Sequence, residues 1–310
     1  MDSDMKIVLW GKKLHTDTYS YIHYGFWRAA EYLGYTVEWY GDEDDVSGVD
    51  FSNSIFLTIA GACDKMPLRK DCKYFIHWID KAFIWDKRDK YSGYDVYNYI
   101  YESKYYEYGP DFVWPSVEKI GGSFYHEDSK TFITKWATDL LPEEIDECPV
   151  ELYDDSKENI FFVGSMQGEN IQKFSQVIQS KGKNFVNVGG YTGHNSLYSG
   201  KAPDINQNIS LTRDSFISFD IREKYFFDAG YYYPCRIFKS ISYGKWCGSN
   251  MPALKELFGD YVTFDDNLDT LYDRIVDDYK SCTEGKMREA MNFIRDNHTY
   301  INRLNDILAL

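Results

Sequence analysis

Short apolar runs alternate with helix-spaced stretches along the chain, and this alternation limits the fold more than any other feature. "KIVLWG" (6–11) is an apolar run closed by glycine. "YIHYGFWRAAEYLGY" (21–35) spaces Tyr24, Trp27, Ala30 and Leu33 for one helical face, and Gly34 suits its stop. "TVEWY" (36–40) is β-branched and aromatic, and "DEDD" (42–45) follows as a polar loop. More strand-like runs come at "SIFLTIA" (54–60), "KYFIHWI" (73–79), "DVYNYIY" (95–101) and "FITKWA" (132–137). Strands separated by helices predict a parallel sheet covered on both faces.

The pattern then restarts. "LPEEIDECPVELYDDSKE" (141–158) holds two prolines and a run of acids, which suits a linker. After it come a strand at "NIFFVG" (159–164) and a helix at "ENIQKFSQVIQSKG" (169–182), with Ile171, Phe174 and Ile178 on one side. A strand at "NFVNVGG" (184–190), a long polar loop (191–208) and an alternating strand "DSFISFDI" (214–221) continue it. A helix at 236–243, a short helix "PALKELFG" (252–259), "YVTF" (261–264) and helices near 268–280 and 285–308 complete the chain. The expected fold class is α/β with two Rossmann-like domains, residues 1–146 and 155–284. A helical segment 285–310 follows them. A length of 310 residues is ample for two cores.

Composition excludes some functions. The net charge of −15 makes a general nucleic-acid or anionic-membrane binder unexpected, because both need a basic footprint. The six cysteines show no C-x-x-C and no regular spacing, so neither zinc nor a disulfide framework is expected. No apolar run approaches the ~20 residues of a membrane span. The opening residues read as a strand and not as a secretory leader, so a cytoplasmic location is expected. The 28 Tyr, 20 Phe and 8 Trp can fill cores or line ligand sites, and their number alone does not choose.

Several catalytic signatures are missing. The first strand is followed by "GKKLHTD" and not by G-x-G-x-x-G. There is no G-x-x-x-x-G-K-[ST] and no G-x-S-x-G. Asp42 and Asp44 in "DED" could hold a divalent ion on a sugar diphosphate, since hard oxygen ligands suit it; an acidic surface loop is the plainer account. "FFVGSMQGEN" (161–170) joins a strand, a turn with Gly164, Ser165 and Gly168, and a helix start whose N–H groups favour phosphate.

The stretch "YYYPCRIFKSISYG" (231–244) is the most informative. Tyr233 and Pro234 lead into a helix, and Pro suits its first turn. Arg236 and Lys239 can share one helix face, while Ile237, Phe238 and Ile241 anchor the other. Cations near a helix N-terminus are locally unfavourable unless an anion lies between them. Helix dipole, Arg fork and Lys charge together describe a diphosphate clamp. Pairing of one cation with a neighbouring acid, the other pointing to water, stays open.

"PCRIFKSISYGKWCGSNMPALKELFGDYVTF" (234–264) resembles the donor-binding domain of GT-B glycosyltransferases, especially glycosyltransferase family 4. The family pattern is a loop with Pro, a helix near R-x-F-E-A-x-x-x-G, a short strand, and a helix ending in Gly; "RIFKSISYG", "KWCGSN" and "ALKELFGDYVTF" fill these slots. About thirty residues match well. Lys239 and Tyr231 stand where retaining members carry two glutamates. Lys239 cannot accept the donor ribose hydrogen bond but can hold phosphate.

The resemblance implies a GT-B fold with two domains facing across a cleft and a C-terminal helix returning to the first domain. It implies transfer of a hexose from a nucleotide diphosphosugar, GDP-mannose ahead of UDP-glucose, to a glycan or other hydroxyl acceptor, retaining and without metal or other cofactor. Gly164, Ser165, Tyr233, Pro234, Cys235, Arg236, Ile237 and Lys239 would bind the donor. Gly11, Thr18 and Tyr19 would lie on the acceptor side, and His77 or Asp80 would serve as base in an inverting reaction. The partners expected are the nucleotide sugar and the acceptor, without nucleic acid or a transmembrane segment; a homodimer is compatible with them. A metal-dependent transferase using Asp42 and Asp44, and a non-catalytic nucleotide-sugar-binding protein, are the alternatives.

Overall fold

The computed structural model describes residues 5–14, 18–79, 88–101, 116–164, 166, 168–189, 203–224 and 233–310. They form two compact units. The first takes described residues from 5–101, 116–135 and 300–310, and the second from 136–299. The change from first to second unit thus falls ahead of the acidic stretch 141–158.

The first unit is built on strands β1 (Lys6–Trp10), β2 (Thr36–Tyr40), β3 (Ser54–Ile59), β4 (Lys73–His77) and β5 (Asp95–Ile100), with helix α1 (Thr18–Tyr32) between β1 and β2. A hairpin of β6 (Glu118–Ile120) and β7 (Ser123–His126) and a last strand β8 (Thr131–Ile133) extend the sheet. The order is β2-β1-β3-β4-β5-β8-β7-β6, parallel as far as β8 and antiparallel beyond it. The hairpin is not expected from sequence, because its short strands carry Glu118 and Lys119 instead of an apolar run, and two glycines separate them.

Aromatic residues fill this sheet's core. Phe75 stacks on Tyr97 at 4.7 Å, and Phe56 on Tyr74 at 4.9 Å. Neighbouring strands bring these rings together at one register, which favours cross-strand aromatic pairs. Much of the aromatic excess therefore belongs to packing.

The α1 face differs from the expected one. Ile22, Phe26, Ala29 and Ala30 are buried, whereas Tyr24, Trp27 and Leu33 are half-buried. Trp27 instead packs beside Trp39 of β2, with centroids 6.2 Å apart. Large aromatics can cover the rim of a core, so their spacing points to a neighbouring face.

The second unit opens with α2 (Pro142–Glu147), β9 (Asn159–Val163), α3 (Glu169–Ser180), β10 (Asn184–Val188), α4 (Ile205–Asp214) and β11 (Ser218–Asp220). It continues with α5 (Cys235–Ser242), β12 (Cys247–Ser249), α6 (Pro252–Phe258), β13 (Thr263–Phe264), α7 (Leu268–Ser281) and α8 (Glu284–Asn297). The strand expected over 214–221 is shorter, because Asp214 still ends α4 and Asp204 caps that helix inside the supposed loop. Ile171, Phe174 and Ile178 of α3 are buried as their spacing predicts.

β9 pairs with β10, and β11 with β12 and then β13, all parallel. Phe216 N–H donates to Asn159 O at 2.7 Å, which brings the start of β11 beside β9. The two pieces, β10-β9 and β11-β12-β13, share no regular ladder, but side by side at β9 and β11 their order matches the β2-β1-β3-β4-β5 order of the first unit. In such sheets ligands bind at the carboxyl ends of the strands where the order reverses.

The helical pattern at 285–308 is two helices, α8 and α9 (Tyr300–Leu308), and α9 belongs to the first unit. Asp306 of α9 accepts from Ser123 Oγ at 2.6 Å and Gly122 N at 3.2 Å, and Arg303 Nε donates to Lys135 O at 2.9 Å. Tyr300 packs on α1 where Gly25 leaves no Cβ in its way. Gly25→Ala is expected to lower stability by about 1–3 kcal/mol through overpacking, read as a lower urea midpoint.

Lys245, just before β12, is fully buried. Its Nζ donates to Arg213 O at 3.3 Å. Burial first, and then Lys157, lowers its pKa from 10.5 to about 7. The unfolded chain keeps this proton up to about 10.5, so between pH 7 and 10.5 the unfolded state binds more protons and stability rises with pH. Below pH 7 both states are charged, and the burial cost is felt in full. Lys245→Met should flatten that rise and stabilise the protein at pH 6, measured as denaturant midpoints across pH.

Candidate functional site

At the switch point of the second unit one side chain joins the two strands that part there. Arg236 lies in the first turn of α5. Its Nη2 donates to Val163 O at the end of β9 (3.0 Å), and its Nη1 to Asp220 Oδ1 at the end of β11 (2.7 Å). The guanidinium lies 4.1 Å from the centre of the Phe162 ring. Gly164, at φ 146, leaves the room that Nη2 occupies. Arg236 Nε is buried and has no hydrogen-bond partner among the described residues.

Asp220 is fully buried and also receives Arg222, whose Nε donates to Oδ2 at 2.9 Å and Nη2 to Oδ1 at 3.0 Å. Two arginines thus share one carboxylate. Asn250 fixes the backbone of Arg222 from both sides, accepting from its N–H and donating to its carbonyl at 2.9 Å each. Ser249 Oγ donates to Asp220 O at 2.8 Å. The "GSN" after Cys247 therefore holds the turn that carries these charges. Burial, and then the Asp220 charge, pushes the Cys247 thiol up to about 12, so it stays protonated.

Lys239 does not join Arg236. Its Nζ pairs with Asp139 Oδ2 at 2.6 Å, and Tyr243 OH donates to Asp139 Oδ1 at 2.7 Å. The expected clamp, with an anion between both cations, is replaced by two carboxylates from separate segments. The helix start expected to receive a phosphate also has an internal acid: Asn170 N, in the first turn of α3, donates to Glu223 Oε1 at 2.7 Å. Gly168 lacks the Cβ that would strike this carboxylate.

Among the other donor-side residues, Tyr233 and Pro234 are buried, Cys235 is half-buried, and Ile237 is a core residue with 0% exposure. Ser165 lies outside the described residues, as does Asp80.

Gly11, Tyr19 and His77 lie at or near the carboxyl edge of the first unit's sheet. Gly11 has φ 75, a Cβ there would strike Ala62, and its carbonyl accepts from Trp39 Nε1 at 2.9 Å. His77 Nδ1 donates to Tyr99 O at 2.7 Å. Tyr19 stacks on His77 at 5.2 Å. Thr18 opens α1. Trp78 follows His77 with φ 62, a left-handed conformation that bulky residues rarely adopt.

Asp42 and Asp44 serve local structure. Asp42 accepts from Trp10 Nε1, Asp64 N and Lys65 N at 2.8–2.9 Å, and Asp44 accepts from Gly41 N at 2.8 Å and pairs with Lys13 at 3.0 Å. Among the described residues no group of three or more His, Cys, Asp or Glu could hold a metal. Asp42→Ala leaves these donors unmet and is expected to cost about 1–3 kcal/mol, seen as a lower melting temperature with or without chelator.

Sequence reasoning missed Asp220, Arg222, Glu223 and Asp139. "FDIRE" (219–223) did carry a signal, an acid at the end of an otherwise apolar strand.

No family model matches the sequence, and no curated protein matches it. Among solved structures, the chain is similar to an "alpha-glucosyltransferase (AGT) in complex with UDP", with a TM-score of 0.58 at 8% identity over 99% of this chain and 100% of that one. A T4 phage BGT in complex with its UDP-glucose substrate gives a TM-score of 0.48 at 13% identity, over 98% and 96%. The fold is that of the GT-B glycosyltransferases, with two Rossmann-like units. No helix among the described residues is long and apolar enough to cross a membrane.

Proposed function

We propose that the protein is a glycosyltransferase that moves a hexose from a nucleoside diphosphosugar to a hydroxyl acceptor, with the donor on the second unit. The observation that carries this reading is Arg236 bridging the ends of β9 and β11 at the switch point. The GT-B fold supports it.

Departure of the nucleoside diphosphate develops negative charge on its outer phosphate, and fixed cations lower the barrier by meeting that charge. Arg236 and Arg222 are suited to this, so no metal is required by the reading. Lys239, held by Asp139, supports the position of α5 rather than the phosphate. The expected order of donors put GDP-mannose first. The UDP in the similar structure favours a UDP-hexose, UDP-glucose foremost, with GDP-mannose second. The acceptor is taken to be a glycan hydroxyl on the first unit, near Gly11, Thr18, Tyr19 and His77, and the net charge of −15 disfavours a polyanionic one. Retention follows if the acceptor attacks on the face the leaving group departs from. If the reaction inverts, His77, held by its Nδ1 bond to Tyr99 O, is the candidate base.

Calorimetry with UDP and GDP tests the donor half. Arg236→Ala should weaken the better nucleotide at least about tenfold, the loss expected for a charge-assisted hydrogen bond. Chelator should leave donor turnover unchanged. Equal binding by the variant, or loss of turnover with chelator, would remove the basis of the reading.

A further inference from the structure

We propose that Asp220 is a positioning residue of the donor site: its buried carboxylate holds Arg222 and Arg236 as a paired fork for the diphosphate of a nucleoside diphosphate. This rests on the donor reading above. Two guanidiniums converge on one buried carboxylate, Asp220, with three hydrogen bonds of 2.7–3.0 Å. The nearby acid Glu223 bonds to Asn170 N at the start of α3, and no hydrogen bond joins it to either arginine among the described residues. The two arginine side chains keep 20% and 21% exposure, whereas Asp220 has none. The pair is thus anchored on a fully buried acid while both guanidinium side chains keep some exposure.

A buried ion pair is weak evidence of a stabilising role, because desolvation offsets its attraction. Here it joins neighbouring strand ends, and the buried Arg236 Nε still has no described acceptor. An arginine fork loses less freedom per bond when its plane is already set.

This role makes a prediction opposite in sign to simple electrostatics. Removing a negative charge beside an anion site should tighten anion binding; removing a positioning carboxylate should weaken it. In calorimetry at fixed ionic strength, Asp220→Asn is expected to weaken UDP and inorganic pyrophosphate at least tenfold, while the Ki of uridine, which lacks phosphate, stays within twofold. Arg222→Lys keeps the charge and loses the fork, and with its partly exposed side chain it serves if Asp220→Asn fails to fold. It should show the same split. UDP bound by folded Asp220→Asn as tightly as by wild type, or more tightly, overturns the positioning role. So does UDP binding unchanged in Arg222→Lys, or a uridine Ki that worsens as much as UDP binding, which would mark a general structural loss. If wild type binds none of UDP, GDP and pyrophosphate, the donor reading itself falls, and this role with it.

Discussion

The contact that ties the strand ends of the second unit together is the Arg236 guanidinium spanning β9 and β11. These strands have no regular ladder between them, and their neighbours lie on opposite sides. A parallel sheet opens at such a place because successive connections turn away from each other. Arg236 spans the opening with a backbone carbonyl on one side and a buried carboxylate on the other. Phe162 supports its plane, and Gly164 gives it space. Strand order, one glycine and one acid therefore combine to fix a cation where an open sheet binds ligands.

The alternation of strands and helices was legible because each element carries its own period. β2 coincides with "TVEWY", and the buried side of α3 with its apolar spacing. The β6–β7 hairpin was hidden because its strands are three and four residues long. The α1 face was misread because aromatics at the rim carry the same hydrophobic signal as those beneath it. The break between α8 and α9 at 298–299 lies inside one amphipathic pattern, so spacing alone runs across it.

The site was legible in part, for a physical reason. Arg236 stood out through its place in a helix start, a local property. Its partners are distant in sequence: Asp220 is sixteen residues away, and Asp139 is one hundred from Lys239. Ion pairing depends on which segments the fold brings together, and no periodicity records that. Asp42 shows the converse. Its type and spacing suited a metal, but three nearby donors already occupy its oxygens.

The attachment of α9 bears on how the chain is made. Residues 136–299 form the second unit and stand, in sequence, inside the first. During synthesis from the N-terminus, all of the second unit emerges before Tyr300 and Arg303 exist to pack on α1 and bond to Lys135. The first unit begins to emerge first and is complete last. Until then the surface of α1 around Gly25 lacks its cover, and Asp306 is not yet there to receive Ser123.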